Sequence, residues 1–508
     1  MAWSTDFLTL LSSRTLSLRF ILEVVALDDE PRGEWSAATH AGLDADDRIA
    51  EGGVQVQGQT VQPVAWTSSS GAFTVELACP DPRNLFRNVT RGTCLALRAG
   101  FPGWKRGDYE IIALGQVRTI RGVAPRLVIE CYDLYTATRQ RLSTSSTVNR
   151  LFPTIGTTAT TTVAYATGDT SLTVDSTTGF ERESSGSYGL LVTPTSGAEP
   201  FYLLATSKTG TVFTVTAANQ MGTSRAAAAV GSSVVEVFYL SGHPLDIARK
   251  VLVSDGGGGT YDVYGSGNGM AIPTAYVDHD DIDQWKAVAA VDTGSYTWEY
   301  PVSGPVDDGY SFLADLLAPA GMFLTQRQGL LTARACQATQ DARHWSGISV
   351  TDSDLMRIED YDAFDPAQDT EYTYISVSLN GGATLSTSTS YGQATLPAER
   401  YLRYDLSDRI FSNTAASATE LKRRMAEAAT RIPERLTIRC AGLRLAQLAP
   451  EDLIYLTSTR IRTRYAPDGP SNYPARVVEV SPSWSGAEGG SVRLTLLLYP
   501  QDEEVFPS

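Results

Sequence analysis

Four histidines, His40, His243, His279 and His344, are the side chains whose ordinary pKa lies nearest neutrality and that could act as a general base. None belongs to an HExxH pair, and no GxSxG elbow presents a serine. His243 precedes Pro244, a pairing that reads as a helix start rather than a base beside a nucleophile. Glycine runs are the second possibility. Gly256–Gly259 and the later Gly265, Gly267 and Gly269 could wrap a phosphate. A phosphate cradle, however, needs a strand that leads through the glycines into a helix, and in the Walker form a lysine. The first run follows a helical segment instead, and no such lysine comes after it. Asp278, Asp280, Asp281 and Asp283 are dense enough to hold Ca²⁺, but the glycine turn and distal glutamate of a calcium loop are missing. The expectation for them, and for Asp44, Asp46 and Asp47, is a solvated acidic turn.

Five cysteines (Cys79, Cys94, Cys131, Cys336, Cys440) are widely spaced and lack CxxC. They read as free buried thiols, with a metal site assembled in space as the alternative. Carboxylates abound, but a hydrolytic pair needs a cleft to define it. Trp35, Trp66, Trp104, Trp285, Trp298, Trp345 and Trp484 are spread in a way that suits cores better than a sugar platform. The expectation is a protein that is not an enzyme, with no catalytic, cofactor-binding or metal-binding residue assigned and no cofactor.

The elements that would position any such residues are mostly strands. Leu16, Leu18, Phe20, Leu22 and Val24 alternate within 14–27. Val54–Trp66, ending at a Ser-Ser-Ser-Gly turn, reads as a strand. So do Phe73–Leu77, Cys94–Ala99, Tyr109–Val117 and Arg126–Tyr132, at the spacing of a barrel or sandwich. From about Thr154 to Val237 charge nearly vanishes and Thr, Ser, Gly and Ala dominate. Tyr188–Val192, Phe201–Leu204 and Val234–Leu240 are too apolar for a disordered or glycosylated stalk, so this stretch reads as a folded β module. Leu245, Ala248, Val251 and Leu252 recur at helical spacing until the glycines stop them. Phe312, Leu313, Leu316 and Leu317 form a second helical stripe ended by Pro319 and Gly321. Met322–Thr325 and Leu330–Arg334 flank Gln326–Gly329 as a hairpin. Thr419–Ile432 is a third helix, with Leu421, Met425, Ala428 and Ile432 on one face and Pro433 at its end. Strands return at Glu434–Cys440, Leu453–Thr457, Ala475–Val480 and Val492–Tyr499.

At 508 residues the chain should hold several domains. The boundaries predict an N-terminal β-barrel-like domain at 1–153, a Thr/Ser-rich inserted module at 154–240, a central α+β domain at 241–345, and a C-terminal β-rich domain at 346–508. The fold class is mainly β, a β-rich α+β multidomain chain. The net charge of −16 argues against a protein that grips phosphates, and suits one that lets nucleic acid pass. No apolar run is long enough to cross a bilayer, and the N-terminus has no basic leader before an apolar block.

Three stretches carry a family resemblance. HPLDIARKVL with the Gly-rich loop, GMAIP and VD is one. YSFLADLLAPAGMFLTQRQGLLTARA (310–335) is the second, and LAPEDLIYLTSTRI followed by YPARVVEVSPSWSGAEGGSVRLTLL is the third. In this order they resemble the tail-tip or baseplate hub proteins of bacteriophages and gene transfer agents, related to the trimeric hub of contractile tails. The resemblance implies two tail-tube-like barrels per chain and a homotrimer that forms a pseudo-sixfold ring. Such a ring joins the sixfold tail tube to a threefold central fibre or spike and lines the DNA ejection channel. The implied partners are distal tail protein, tail tube protein, tape measure protein and the fibre or spike, in a virion assembled in the host cytoplasm. Two alternatives stay open. One is a distal tail or receptor-binding protein whose Thr-rich module binds carbohydrate; the other is a tail-associated glycan or peptidoglycan hydrolase.

Overall fold

The computed structural model describes residues 3–11, 18–25, 49–56, 59–62, 67–69, 72–78, 89–123, 125–134, 138–139, 142, 152–153, 155–182, 186–216, 223–253, 269–270, 272, 274–290, 298–335, 345–363, 374–378, 384–388, 401–405, 411–412, 433–484 and 490–499. The glycine runs before Gly269, the helix expected at Thr419–Ile432, His40, His344, Asp44, Asp46, Asp47, Cys79 and Cys336 lie outside the described residues.

Helix α1 (Thr5–Leu11) opens the chain where the sequence reading places no element. Ser4 caps it, its hydroxyl accepting from the Phe7 amide at 3.3 Å, and Phe7 and Leu11 are buried. Eight strands follow: β1 (Arg19–Val25), β2 (Ile49–Val56), β3 (Gln59–Gln62), β4 (Thr67–Ser69), β5 (Phe73–Ala78), β6 (Cys94–Gly100), β7 (Glu110–Val123) and β8 (Arg126–Asp133). Six of them form an antiparallel sheet in the order β1-β6-β7-β8-β5-β2. The apolar stretch in β6 follows from coverage on both faces. Leu95, Leu97 and Ala99 enter one core while Cys94 and Ala96 enter another.

The Thr-rich stretch folds around its own core. It comprises β9 (Thr158–Thr160), β10 (Ser171–Thr173), β11 (Tyr188–Thr193), β12 (Phe201–Thr209), β13 (Val212–Val215) and β14 (Ser233–Gly242). Leu172, Leu190, Phe201, Phe213 and Val234 fill that core. Strand β14 then runs on without a break. Its first half pairs with β11, and Phe238–Gly242 pairs with β15 (Trp298–Val302).

Helices α2 (Pro244–Val253), α3 (His279–Ala290) and α4 (Gly309–Leu317) pack with the hairpin of β16 (Met322–Arg327) and β17 (Leu330–Ala335) into a central core. The β16–β17 loop has two residues, and Gln328 (φ 51°) and Gly329 (φ 79°) supply the positive angles of a type I′ turn. Asp308 caps α4, its carboxylate accepting from the Tyr310 amide at 3.0 Å and the Ser311 amide at 3.3 Å. Asp308→Ala is expected to destabilise the chain by about 1 kcal/mol, read as a lower urea midpoint at unchanged slope.

The C-terminal part adds β18 (Trp345–Thr351), β19 (Leu355–Asp362), β20 (Tyr374–Ser378), β21 (Thr384–Ser388), β22 (Tyr401–Asp405), β23 (Phe411–Ser412), β24 (Glu434–Ala441), β25 (Leu453–Thr457), β26 (Tyr473–Ser483) and β27 (Ser491–Leu498). The main sheet runs β18-β25-β26-β27-β24-β19, with a separate β21-β20-β22 sheet. Val54–Trp66, expected as one strand, is split. Val54 and Val56 stay in the first sheet, while β3 leaves it and pairs Gln59 and Thr60 with Val480 and Glu479 of β26. Ser68 and Ser69, expected in a turn, form β4 against β3. The N-terminal and C-terminal sheets share one core, where Phe73, Leu95 and Ile129 are clustered with Ile438, Val477 and Leu494. The fold is thus mainly β and built from several curled sheets.

Candidate functional site at the sheet junction

The acidic run at 278–283 is not a solvated turn. It begins α3, and two of its four aspartates are buried. Asp278 caps the helix, its carboxylate accepting from the Asp281 amide at 3.3 Å while its carbonyl accepts from Ile282 at 3.2 Å. Asp281 is fully buried, one turn in, where it faces β17. Asp283 meets Arg249 of α2 at 2.7 Å, and Asp280 stays exposed. The expectation failed because the partners are arginines far away in sequence.

Arg334 is the centre of the junction. Its side chain sits on the β17 face opposite Leu331, Ala333 and Ala335, and is fully buried. Its Nε and Nη2 donate to the two Asp281 oxygens at 2.8 and 2.9 Å. Its Nη1 donates to the Pro450 carbonyl at 2.8 Å and to Asp452 Oδ1 at 3.0 Å. The guanidinium carbon lies 5.3 Å from the centre of the Trp285 ring. Asp281 also accepts from Thr332 Oγ1 at 2.8 Å and Arg327 Nη1 at 3.1 Å. Burial raises the pKa of Asp281, but the Arg334 charge and hydrogen bonds, with Arg327 and Thr332, outweigh it and hold the carboxyl below its ordinary value.

The loop that meets Arg334 is tied down again from the other side. The Ala449 amide donates to Asp452 Oδ2 at 2.8 Å, and Glu451 takes φ 79°, rare for a residue with a side chain. Glu451 is held there by Arg476 of β26, whose Nη2 lies 2.8 Å from its carboxylate. Arg476 Nη1 also donates to the Tyr499 hydroxyl at 3.2 Å. Two buried arginines from different sheets therefore clamp one loop, residues 449–452.

The charged groups of the junction are engaged with one another. Asp281 is held ionised and bonded, so it is a poor base and has no proton to give at neutral pH. Burial, then the Arg249 charge, lowers the pKa of His279 below its ordinary value. His243 caps α2, its Nδ1 accepting from the Leu245 amide at 3.2 Å. Cys94, Cys131 and Cys440 are buried and free, and burial pushes the thiols of Cys94 and Cys440 up to about 12. Among the described residues no group of three His, Cys, Asp or Glu side chains is arranged to hold a metal ion. No helix among the described residues is long and apolar enough to cross a membrane. An open cleft of about 680 Å³ lies beside α1, lined by Asp6, Trp104, Asp108 and Glu110 among others. Two of its carboxylates are engaged locally: Glu110 accepts from the Ser4 amide at 2.9 Å and Asp108 from the Lys105 amide at 3.1 Å.

A signal for α3 was present in the sequence: Asp278, an N-cap type, stands ahead of Ile282 and Trp285 at helical spacing. No such signal exists for Arg334 or Arg476, because an arginine in a strand ordinarily points to solvent.

No family model matches the chain, and no curated protein matches it. Solved structures do. The chain is similar to a 43 kDa tail protein of prophage MuSo2 from Shewanella oneidensis, at 9% identity and a TM-score of 0.40, over 94% of this chain and 97% of that one. It is also similar to a tail protein from Neisseria meningitidis MC58, at 11% identity and a TM-score of 0.38, over 89% and 98% of the two chains. A third likeness is to a chain of the virion of a native gene transfer agent particle, at 15% identity and a TM-score of 0.31, over 73% and 88%.

Proposed function

We propose that this chain is a structural virion protein, the central hub of a phage-type tail tip. In this reading it forms a homotrimeric ring that joins a sixfold tail tube to a threefold central fibre or spike. The ring contacts distal tail, tail tube and tape measure proteins and surrounds the path of the ejected DNA, which passes through without being specifically bound. The division into 1–153, 154–240, 241–345 and 346–508 belongs to the same proposal.

The observation that carries it is the convergence of the three stretches that resemble the hub family. Helix α2, the α4–β17 segment and the loop before β25 are over a hundred residues apart in places, yet they meet around Arg334 and the central core. A shared core and a buried ionic tie suit a part that must transmit force between sheets, and they offer no reacting group. The net charge of −16 suits a wall past which DNA slides.

Mass measurement in solution tests the assembly. A trimer, or a ring formed with tail partners, is the expected result; a persistent monomer that is missing from purified particles would sink the reading. Deleting 157–235 separates a hub from an adhesin, because a hub still assembles whereas an adhesin loses cell attachment. Cell-wall zymography addresses the acidic cleft. Lytic activity removed by Asp108→Asn or Glu110→Gln would replace the structural reading with an enzymatic one.

A further inference from the structure

One face of the C-terminal sheet is covered at one end and open at the other. Arg493 and Leu497 share that face of β27 by strand alternation. Leu497 enters the central core, whereas Arg493 reaches solvent. Arg493 stands directly opposite Arg439 of β24, and Arg439 stands directly opposite Arg357 of β19. Three arginines thus form a row across three neighbouring strands, about 5 Å from one strand to the next. Like charges in that register repel one another.

Two carboxylates lie low within the row. Glu359 accepts from Arg357 Nη2 at 2.8 Å and from Arg439 Nε at 2.6 Å, and its other oxygen lies 3.1 Å from Arg493 Nε. Glu479 lies 3.4 Å from Arg493 Nη1 and accepts from Thr495 Oγ1 at 2.9 Å. The side chains of Glu359 and Glu479 are 16% and 13% exposed, against 63%, 42% and 33% for Arg357, Arg493 and Arg439. Solvent therefore meets guanidinium here, although the whole chain carries a net charge of −16. Asp360 stands to one side, opposite Thr437, and its carboxylate accepts from the Tyr361 amide at 2.9 Å. Met356 and Ile358 flank Arg357 on the edge strand, and both are exposed.

We propose that this row is a docking surface for an acidic segment of a partner protein. Carboxylates of the partner take outward N–H groups of Arg357, Arg439 and Arg493, and an apolar side chain beside them packs on Met356. A guanidinium fork offers a carboxylate two parallel hydrogen bonds. A carboxylate set between two arginines of the row also relieves their repulsion, so it binds more tightly than at an isolated arginine. Arginine and methionine are residue types that protein interfaces favour. The apolar flank gives a polypeptide a contact that a phosphate backbone would not use, and a chain of net charge −16 repels a long polyanion at a distance.

This inference does not depend on the hub reading. The test is fluorescence anisotropy of a labelled peptide, Gly-Glu-Glu-Leu-Glu-Glu-Phe-Gly, titrated with the full chain. The expected result is saturable binding that weakens as salt is added. Arg357→Gln and Arg439→Gln should each weaken it by about tenfold, the loss of one charge-assisted hydrogen bond. Met356→Ser should weaken it severalfold. Arg357→Gln should keep the urea midpoint of wild type, because its ion pair is exposed, and that separates lost binding from lost fold. Absence of saturable binding, equal binding by the arginine variants, or equal binding of a peptide with Gln in place of every Glu overturns the proposal. Tighter binding of a thymidine oligonucleotide of the same charge also overturns it and assigns the row to nucleic acid. If Arg439→Gln does not fold, Arg357→Gln and the Gln peptide decide alone.

Discussion

Arg334→Ala lowers the stability of the chain by roughly 3–5 kcal/mol, the largest loss expected from any single truncation at the junction. The substitution removes the donors of four hydrogen bonds from a buried site; three of the four acceptors are carboxylate oxygens of Asp281 and Asp452. It strands Asp281 with Arg327 and Thr332 as its remaining partners, and leaves Asp452 buried without its cation. Arg334→Lys retains the charge but not the fork that reaches both Asp281 oxygens, so it recovers a minor part of the loss. Urea unfolding of the three proteins checks this order. Equal midpoints for wild type and Arg334→Ala would show the tie to be energetically neutral. The pH dependence has a defined direction. Asp281 is held below its ordinary value of 3.8, so its contribution is fully present above that pH and is lost as pH falls further. Asp281→Asn should therefore flatten the acid limb of stability.

Gly115→Ala is the second large effect, about 3 kcal/mol by the scale of overpacked cores. Gly115 lies inside β7, paired with Leu95 on one side and Asp133 on the other. A methyl group there would sit 2.0 Å from the Tyr132 carbonyl oxygen and 3.1 Å from the Phe73 ring. The oxygen belongs to β8, whose hydrogen bonds to β5 and β7 fix it, so the strain cannot relax through a side chain. Gly107→Ala is the control. Nothing lies within 4 Å of its added carbon, so it should stay within about 0.5 kcal/mol of wild type. Thermal unfolding of both variants checks the pair; a Gly115→Ala transition as high as that of Gly107→Ala would mean that β7 and β8 shift freely.

The parts legible in the sequence were those whose causes are local. Strand alternation located β5, β6, β8, β11, β24 and β27 within a residue or two, because each buries one or both faces in a regular period. The β16–β17 hairpin followed from Gln328-Gly329, which tolerate the positive φ of a tight turn. The end of α4 followed from Pro319 and Gly321, the latter at φ 65°. The seven residues of α1 were missed because so short an apolar stripe has too few turns for a period to register, despite its Ser4 cap.

What only the tertiary structure decided is where charge goes. Composition makes Asp281, Arg334, Glu451 and Arg476 ordinary surface residues, and each is 1% exposed or less. Burying a charge is unfavourable unless a partner arrives with the right geometry, and these partners come from elements up to 118 residues away. No window of sequence contains both halves of such a pair. The sequence by itself determined a mainly β chain with a Thr-rich β insertion and short helices in the middle, because those features rest on periods and turns. The tertiary structure alone decided that β3 leaves its own sheet for β26, that the two large sheets share one core, and that the acidic run is a structural tie. Those outcomes depend on which surfaces are dry, and that is a property of the assembled fold.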